Sequence, residues 1–215
     1  CTHAGFIRME VQLPLSARRR LGSLLPCVQS AAGAASTTAI ERRLPPLGGS
    51  LAEEHAAPLR ARLRFVEESL NGCAEDPHYA DVAIYTKAVR LALNFGEFYA
   101  DNDDGRLGMQ ALDVAEQRLH ELQQTTAKAD GVTCSTPSWC HAPGLVVRGY
   151  VSPLDGSVQP YGLEIPSEAV APNAPPAPLF VWLHGRGDKN TDLASIMSWS
   201  ERSAFPTSSF GVAPP

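Results

Sequence analysis

"LFVWLHGRGDKN", residues 179–190, changes character at its midpoint. Residues 179–183 are all apolar, and a His184-Gly185-Arg186-Gly187 turn and then charged residues follow them. A short apolar run of this kind is typical of a central strand that is covered on both faces of a sheet. Glycines next to it allow the backbone to turn tightly. The stretch therefore predicts a buried strand that enters a glycine-bearing loop.

The sequence on either side of this loop indicates an α/β arrangement. Upstream, "GLVVRGYVS" and "VQPYGLEIP" are β-rich runs, and the Asp155-Gly156 pair between them is a strong signal for a hairpin turn. Downstream, "TDLASIMSW" predicts a helix with Thr191 as its N-cap. A hairpin, a buried strand, a glycine loop and a helix predict the start of an α/β sheet over residues 144–200.

The first helix of the chain is predicted after Ser50. Ser50 and Glu53 fit a capping box, and Asn71-Gly72 ends the helical pattern. Pro58 marks either a kink in this helix or its true start. The apolar positions recur at spacings of three and four, as on one helix face. They are Ala52, Ala56, Leu59, Leu63, Val66 and Leu70.

Two more helices follow with short connections. The second is predicted to begin at Asp76-Pro77, an N-cap followed by a proline at the first helical position, and to end at Gly96. The third is predicted to run from a cap at Asp103 or Asp104 to about residue 126. Three amphipathic helices of this kind predict a small antiparallel helical unit over residues 46–127, joined to the sheet by a loop at 128–143.

The two ends of the chain carry weaker signals. In residues 1–45, "RRRLGSLLPCVQSAAGAAS" has the basic, apolar and small-residue order of a signal peptide, but its apolar part is short and contains Pro26. A signal peptide would make the protein secreted or periplasmic, and the sequence leaves the localisation open. An organelle transit peptide, or upstream sequence that is not expressed, explains this composition equally well. Residues 201–215 show no periodicity and are expected to be unstructured.

Composition limits the classes of partner. Of the 215 residues, 44% are hydrophobic and 19% are charged, and the formal net charge is −5. These values are those of an ordinary globular protein, and the negative charge favours neither nucleic acid nor an anionic membrane as a partner. No apolar run approaches the roughly 20 residues that a membrane span needs. The oligomeric state does not follow from the sequence.

The cysteines leave three interpretations open. Cys134 and Cys140, with His141 beside them, form a disulfide, half of a metal site, or plain loop residues. A zinc site needs a second pair of ligands, and none stands at a suitable spacing. The sequence therefore predicts no metal and no cofactor.

The 184–187 loop has three candidate functions. A phosphate-binding loop needs a Walker or a dinucleotide glycine pattern, and neither is present. Cell adhesion through Arg186-Gly187-Asp188 needs a protruding loop, whereas this tripeptide follows a strand predicted to be buried. An oxyanion loop fits better, because acyl transfer builds negative charge on a carbonyl oxygen that preorganised main-chain N–H groups stabilise.

A family resemblance supports the third function. "GLVVRGYVSPLDGSVQPYGLEIP" followed by "PLFVWLHGRGDKNTDL" resembles the start of the catalytic domain in prolyl-oligopeptidase-like α/β hydrolases of bacterial type. "DVAIYTKAVRLALNFGEFY" resembles the helical segment before that domain, so the similarity covers roughly residues 45–195. It implies a helical N-terminal unit, an α/β-hydrolase sheet and serine peptidase or carboxylesterase chemistry on peptide or ester bonds.

The resemblance also implies roles for the loop residues. Gly185 and Arg186 would contribute to the oxyanion hole through their main chain, Gly187 would lie in the same loop, and His184 would brace the turn. No G-x-S-x-G follows Gly187 and no histidine follows His184. The chain is therefore expected to be a fragment with an incomplete sheet, with the oxyanion loop but no triad, and inactive as written. The alternative is a non-catalytic binding or scaffold protein that uses its helical unit.

Overall fold

The computed structural model of the chain describes residue 44 and residues 46–99, 104–126, 136–170, 173–183, 189, 191–199 and 210–213. These residues contain four α-helices and a mixed sheet of four β-strands, so the fold combines α and β structure as predicted. No helix in these ranges has the length and apolar character needed to cross a membrane. Except for Leu44, the predicted targeting segment at 1–45 lies outside the described residues.

Helix α1 spans Glu53–Leu70 and buries the predicted apolar stripe from Ala56 to Leu70. The predicted capping box is wrong, because Ala52 is the N-cap and no side chain caps the helix. The residues before it are extended, since Gly49 donates its N–H to the carbonyl oxygen of Phe98 at 2.7 Å. Pro58 lies inside the helix and does not start it.

Helix α2 spans Tyr79–Phe95 and ends at Gly96, whose φ of 62° is the left-handed conformation that glycine adopts readily. Its predicted start was two residues early, because the N-cap is His78 and not Asp76. Asp76 closes a turn before the helix instead, because its Oδ1 accepts the N–H of His78 at 2.8 Å. The helix is buried around most of its circumference and not along one face alone. Its buried residues are Ala80, Asp81, Val82, Ala83, Ile84, Tyr85, Thr86, Ala88, Val89 and Ala92.

Helix α3 spans Asp104–Thr126, in agreement with the predicted bounds, and packs against α1 and α2. An ion-pair network at its surface joins it to α1. Arg62 donates to Glu116 through Nε and to Asp113 through a terminal nitrogen, both at 2.6 Å. The three helices therefore pack together, as the sequence predicts.

The predicted hairpin is confirmed. Strands β1 (Gly144–Val151) and β2 (Val158–Ile165) pair antiparallel, with Val147 opposite Gly162. In the turn, Gly156 has a φ of 73°, and Asp155 accepts hydrogen bonds from the N–H and the hydroxyl of Ser157. These bonds make Asp155 and Ser157 turn residues.

The sheet has the order β1-β2-β4-β3. Strand β3 is Leu179–Val181, and strand β4 is Phe210–Ala213. Strand β4 pairs antiparallel with β2 and parallel with β3, so a stretch of the segment that was predicted to be unstructured lies inside the sheet. Between β3 and β4 the chain forms helix α4, Asp192–Ser198, whose predicted Thr191 cap is confirmed by the Leu193 N–H to Thr191 Oγ1 bond of 3.2 Å.

The prediction that the 179–183 strand is buried on both faces is wrong. Strand β3 is an edge strand in the described part of the chain, and all three of its residues are exposed, Val181 by 60%. The apolar run continues at the surface in Trp182 and Leu183. Among the described strands β3 pairs only with β4, so one of its edges has no neighbouring strand.

The helices and the sheet share one hydrophobic core. It includes residues of α1, α2 and α3 together with Val147 of β1 and Leu193, Ile196 and Trp199 around α4. Helix α2 contacts α1 and α3 as well as the hairpin and α4. The predicted division into units at 46–127 and 144–200 stays a prediction, and described residues of both ranges pack into this core.

Candidate functional site

The predicted oxyanion residues His184, Gly185, Arg186 and Gly187 lie outside the described residues. The segments on either side of them are described. At the carboxyl end of β3, the N–H of Trp182 donates to the carbonyl oxygen of Val212 in β4 at 2.8 Å. On the other side α4 begins at its Thr191 cap. The loop therefore joins the carboxyl end of a parallel strand to the start of a helix.

The most elaborate polar arrangement among the described residues surrounds Asp81, in the first turn of α2. We call Asp81, Arg118, Trp139 and Arg148 the Asp81 cluster. The Asp81 side chain is 1% exposed, and its Oδ1 accepts from Arg148 Nε at 2.9 Å and from the Gly149 N–H at 2.8 Å. Its Oδ2 accepts from Trp139 Nε1 at 3.1 Å. One carboxylate thus connects α2, strand β1 and the turn at 138–140.

Arg118 adds α3 to this cluster. It is 8% exposed and donates to the main-chain carbonyl oxygen of Asp81 at 2.9 Å. Its guanidinium carbon lies 5.1 Å from the ring centroids of both Tyr85 and Trp139. A planar cation placed over two aromatic rings is stabilised by the ring quadrupoles.

The packing of the hairpin against α2 depends on a close approach at Gly149. Its Cα lies so near the main-chain carbonyl of Ala80 that a Cβ would overlap the carbonyl oxygen. The same contact brings the Gly149 N–H within reach of Asp81. Only glycine allows this approach, which positions β1 on the helix.

Electrostatics keep Asp81 charged at neutral pH. Burial is the largest single influence and opposes the charge, but the hydrogen bonds from Arg148 and Gly149 and the charge of Arg148 together hold the pKa of Asp81 below its ordinary value of 3.8. The hydrogen bond from Trp139 acts in the same direction. The cluster is therefore a buried ion pair with its acceptor oxygens satisfied.

This pKa shift predicts how stability depends on pH. Because the folded-state pKa of Asp81 is lowered, its contribution is present above its unfolded pKa and is lost as the pH falls through its folded pKa. We expect the difference in unfolding free energy between the wild type and Asp81→Asn to be largest near pH 7 and to shrink below about pH 4. Urea denaturation at pH 7, 5, 4 and 3 measures it. A difference that stays constant over this range would contradict the assignment.

His78 and Cys140 lie beside the cluster. Cys140 Sγ is 3.5 Å from His78 Nδ1 and 3.9 Å from Nε2, and Nδ1 is 3.4 Å from Asp81 Oδ2. The ring atom nearest the thiol is thus also the one nearest the acid, whereas a Cys-His-Asp relay uses the two nitrogens separately. Burial raises the pKa of the Cys140 thiol, so it stays protonated at neutral pH. The arrangement does not favour a nucleophilic cysteine.

The structure reduces the three interpretations of Cys134 and Cys140 that the sequence left open. Cys140 has a free thiol, so the disulfide alternative is not formed, and Cys134 lies outside the described residues. Cys140 contacts His78 and lies near Asp81, both at the start of α2, and His141 is exposed. The turn at 138–140 therefore finds its neighbours far away in the sequence.

Sequence reasoning missed the Asp81 cluster. One signal was visible, since Asp81 lies one turn before Tyr85 on a mostly apolar helix, where an acid needs a buried partner. That signal does not identify Arg118, Trp139 or Arg148 as the partners. Comparisons of the chain with protein-family models, with curated proteins and with solved structures found no match.

Proposed function

We propose that this chain carries the opening part of a serine hydrolase of the prolyl-oligopeptidase-like α/β-hydrolase type, which acts on peptide or ester bonds. The observation that carries the proposal is the order of the strands, together with the position of the 184–187 loop between β3 and α4. Neither the strand order nor the position of the loop depends on the amino-acid sequence of the loop.

The strand order supports the α/β part of the proposal. An antiparallel hairpin, β1–β2, opens the sheet, and the fourth strand then lies between the second and the third. A sheet that combines an antiparallel hairpin with a parallel pair is compatible with the α/β class. Strands β3 and β4 are parallel neighbours joined through α4, which makes them a βαβ unit.

The position of the loop supports an oxyanion role. In α/β hydrolases the loop between strand three and the following helix supplies one N–H group of the oxyanion hole. Ligands of α/β sheets bind beyond the carboxyl ends of the strands, where this loop begins. In this proposal the main chain of Gly185 and Arg186 donates to the oxyanion, Gly187 lets the backbone approach the substrate, and His184 braces the turn.

The Asp81 cluster has a structural role in this proposal. Its carboxylate accepts from Arg148, Gly149 and Trp139, and these bonds tie α2 to β1 and to the 138–140 turn. It holds α2 against the hairpin that opens the sheet. The residues of the chain therefore supply the oxyanion loop and its support, without a nucleophile or a late histidine.

A serine-directed probe and the gene sequence together test the function. A fluorophosphonate is expected not to label the 215-residue protein, because no nucleophile elbow follows Gly187. A heat-denatured sample, which is also expected to stay unlabelled, is the control. Translation of the nucleotide sequence after codon 195 in all frames is expected to show a G-x-S-x-G, then an aspartate and a histidine. A polypeptide that includes them should be labelled, and its elbow Ser→Ala variant should not.

Two outcomes would count against this proposal. Labelling of the 215-residue protein would show that a nucleophile is present after all. A stop in every frame would favour the binding or scaffold alternative.

A further inference from the structure

We propose that His78, Asp81 and Cys140 form a binding site for one thiophilic divalent cation, of which Zn²⁺ is the best fit. Their ligand atoms all lie within 4.8 Å of one another. The inference concerns the start of α2 and the turn at 138–140, and it does not depend on the proposed hydrolase function.

The spacing of the ligand atoms matches a tetrahedral ion. Zinc bonds of about 2.0–2.3 Å at tetrahedral angles place neighbouring ligand atoms roughly 3.3–3.8 Å apart. Cys140 Sγ is 3.5 Å from His78 Nδ1, which is 3.4 Å from Asp81 Oδ2. Both measured edges fall in this interval. Because Sγ is also 3.9 Å from Nε2, the imidazole has to turn for the Nδ1 lone pair to face the ion. A thiolate, an imidazole and a carboxylate together also favour zinc over magnesium or calcium.

The surroundings of Asp81 are suited to a ligand carboxylate. Arg148 and Gly149 both donate to Oδ1, which leaves Oδ2 as the oxygen on the side of His78. Trp139 donates to Oδ2, and a carboxylate oxygen has a second lone pair for a metal. Hydrogen bonds of this kind orient first-sphere ligands in metalloproteins.

Access and charge are also compatible with a cation. The His78 side chain is 24% exposed and Cys140 is half-buried, so the ion can enter from solvent and keep a water as its fourth ligand. Asp81, Asp76 and the Cys140 thiolate formed on binding offset the cation's charge, while Arg148 and Arg118 oppose it. Arg148 is already engaged by Asp81.

Binding would stabilise the folded state selectively. Cys140 and His78 are 62 residues apart, so the unfolded chain does not hold the three ligands together. A cation that binds only the folded protein raises its melting temperature as the free ion concentration rises.

Cobalt and zinc titrations of the untagged 215-residue protein, stripped with a chelator, test the site. We expect one ion per chain, a thiolate-to-cobalt charge-transfer band with Co²⁺, and a higher melting temperature with Zn²⁺. Cys140→Ala, Cys140→Ser and His78→Ala should lose the band and the zinc-dependent rise in melting temperature. The matched controls His141→Ala and Cys134→Ala should keep both.

The melting temperatures of the metal-free variants show whether each substitution removes the metal site or unfolds the protein. Because His78 and Cys140 are partly exposed, their metal-free variants are expected to unfold near the wild-type temperature. The proposal is overturned if the wild type takes up no ion, or if the cobalt band persists in a folded Cys140 or His78 variant. It is also overturned if His141→Ala or Cys134→Ala removes the band, since the ion would then belong to the 134–141 segment.

Discussion

Replacing Asp81 with alanine is expected to lower the free energy of unfolding by about 3–5 kcal/mol, the range for removing one partner of a buried ion pair. The substitution leaves the Arg148 guanidinium without its carboxylate and leaves the N–H groups of Gly149 and Trp139 without an acceptor. Each buried donor that loses its partner adds its own desolvation cost. Urea denaturation at neutral pH, followed by circular dichroism, measures the change.

Asp113→Ala is the matched control for this prediction. Asp113 is also a carboxylate paired with an arginine, Arg62, but its side chain is 63% exposed, and exposed ion pairs contribute about 0–1 kcal/mol. Trp139→Phe keeps the ring beside Arg118 and removes one donor to Asp81, so an intermediate loss is expected. Equal losses in Asp81→Ala and Asp113→Ala would show that the Asp81 cluster does not anchor α2.

Arg186→Pro is expected to slow fluorophosphonate labelling by about 10²–10³-fold in a polypeptide that joins this loop to a nucleophile elbow, as for loss of one oxyanion donor. Proline has no N–H group, and in the proposed function the main chain of Arg186 is a donor. The rate of labelling under pseudo-first-order conditions measures the effect.

Arg186→Ala distinguishes the main chain from the side chain. Alanine removes the guanidinium but keeps the N–H group, so labelling within a few-fold of the wild type is expected. Similar slowing in both variants would assign the role to the side chain and contradict the proposal. Thermal melting of both proteins shows whether proline has altered the fold instead of the donor.

Local patterns in the sequence predicted most of the secondary structure. The apolar stripe of α1, the Asp155-Gly156 turn, the Gly96 helix end and the Thr191 cap are each decided within a few residues, and all four are confirmed. Errors arose where distant parts of the chain compete. The bridge between Gly49 and Phe98 keeps the backbone before Ala52 extended, so Ser50 does not cap the helix.

The exposure of β3 and the Asp81 cluster could not be predicted, because both depend on contacts between distant parts of the chain. The composition of 179–183 indicates a strand but not its place in the sheet, which depends on where β4 inserts. Asp81 meets Trp139 and Arg148 across 58 and 67 residues. The periodicity of a single sequence does not show which residues so far apart in the chain are in contact. The oxyanion loop at 184–187 remains a prediction from resemblance and position.

The position of β4 also determines the order in which the sheet can form during synthesis. The hairpin and β3 leave the ribosome before residues 210–213, yet β4 is the strand that joins β2 to β3. Until it arrives, β2 has one partner and β3 has none among the described strands. An interior strand thus completes the sheet. Before β4 is synthesised, the unpaired main-chain groups of β2 and β3 can associate with other nascent chains.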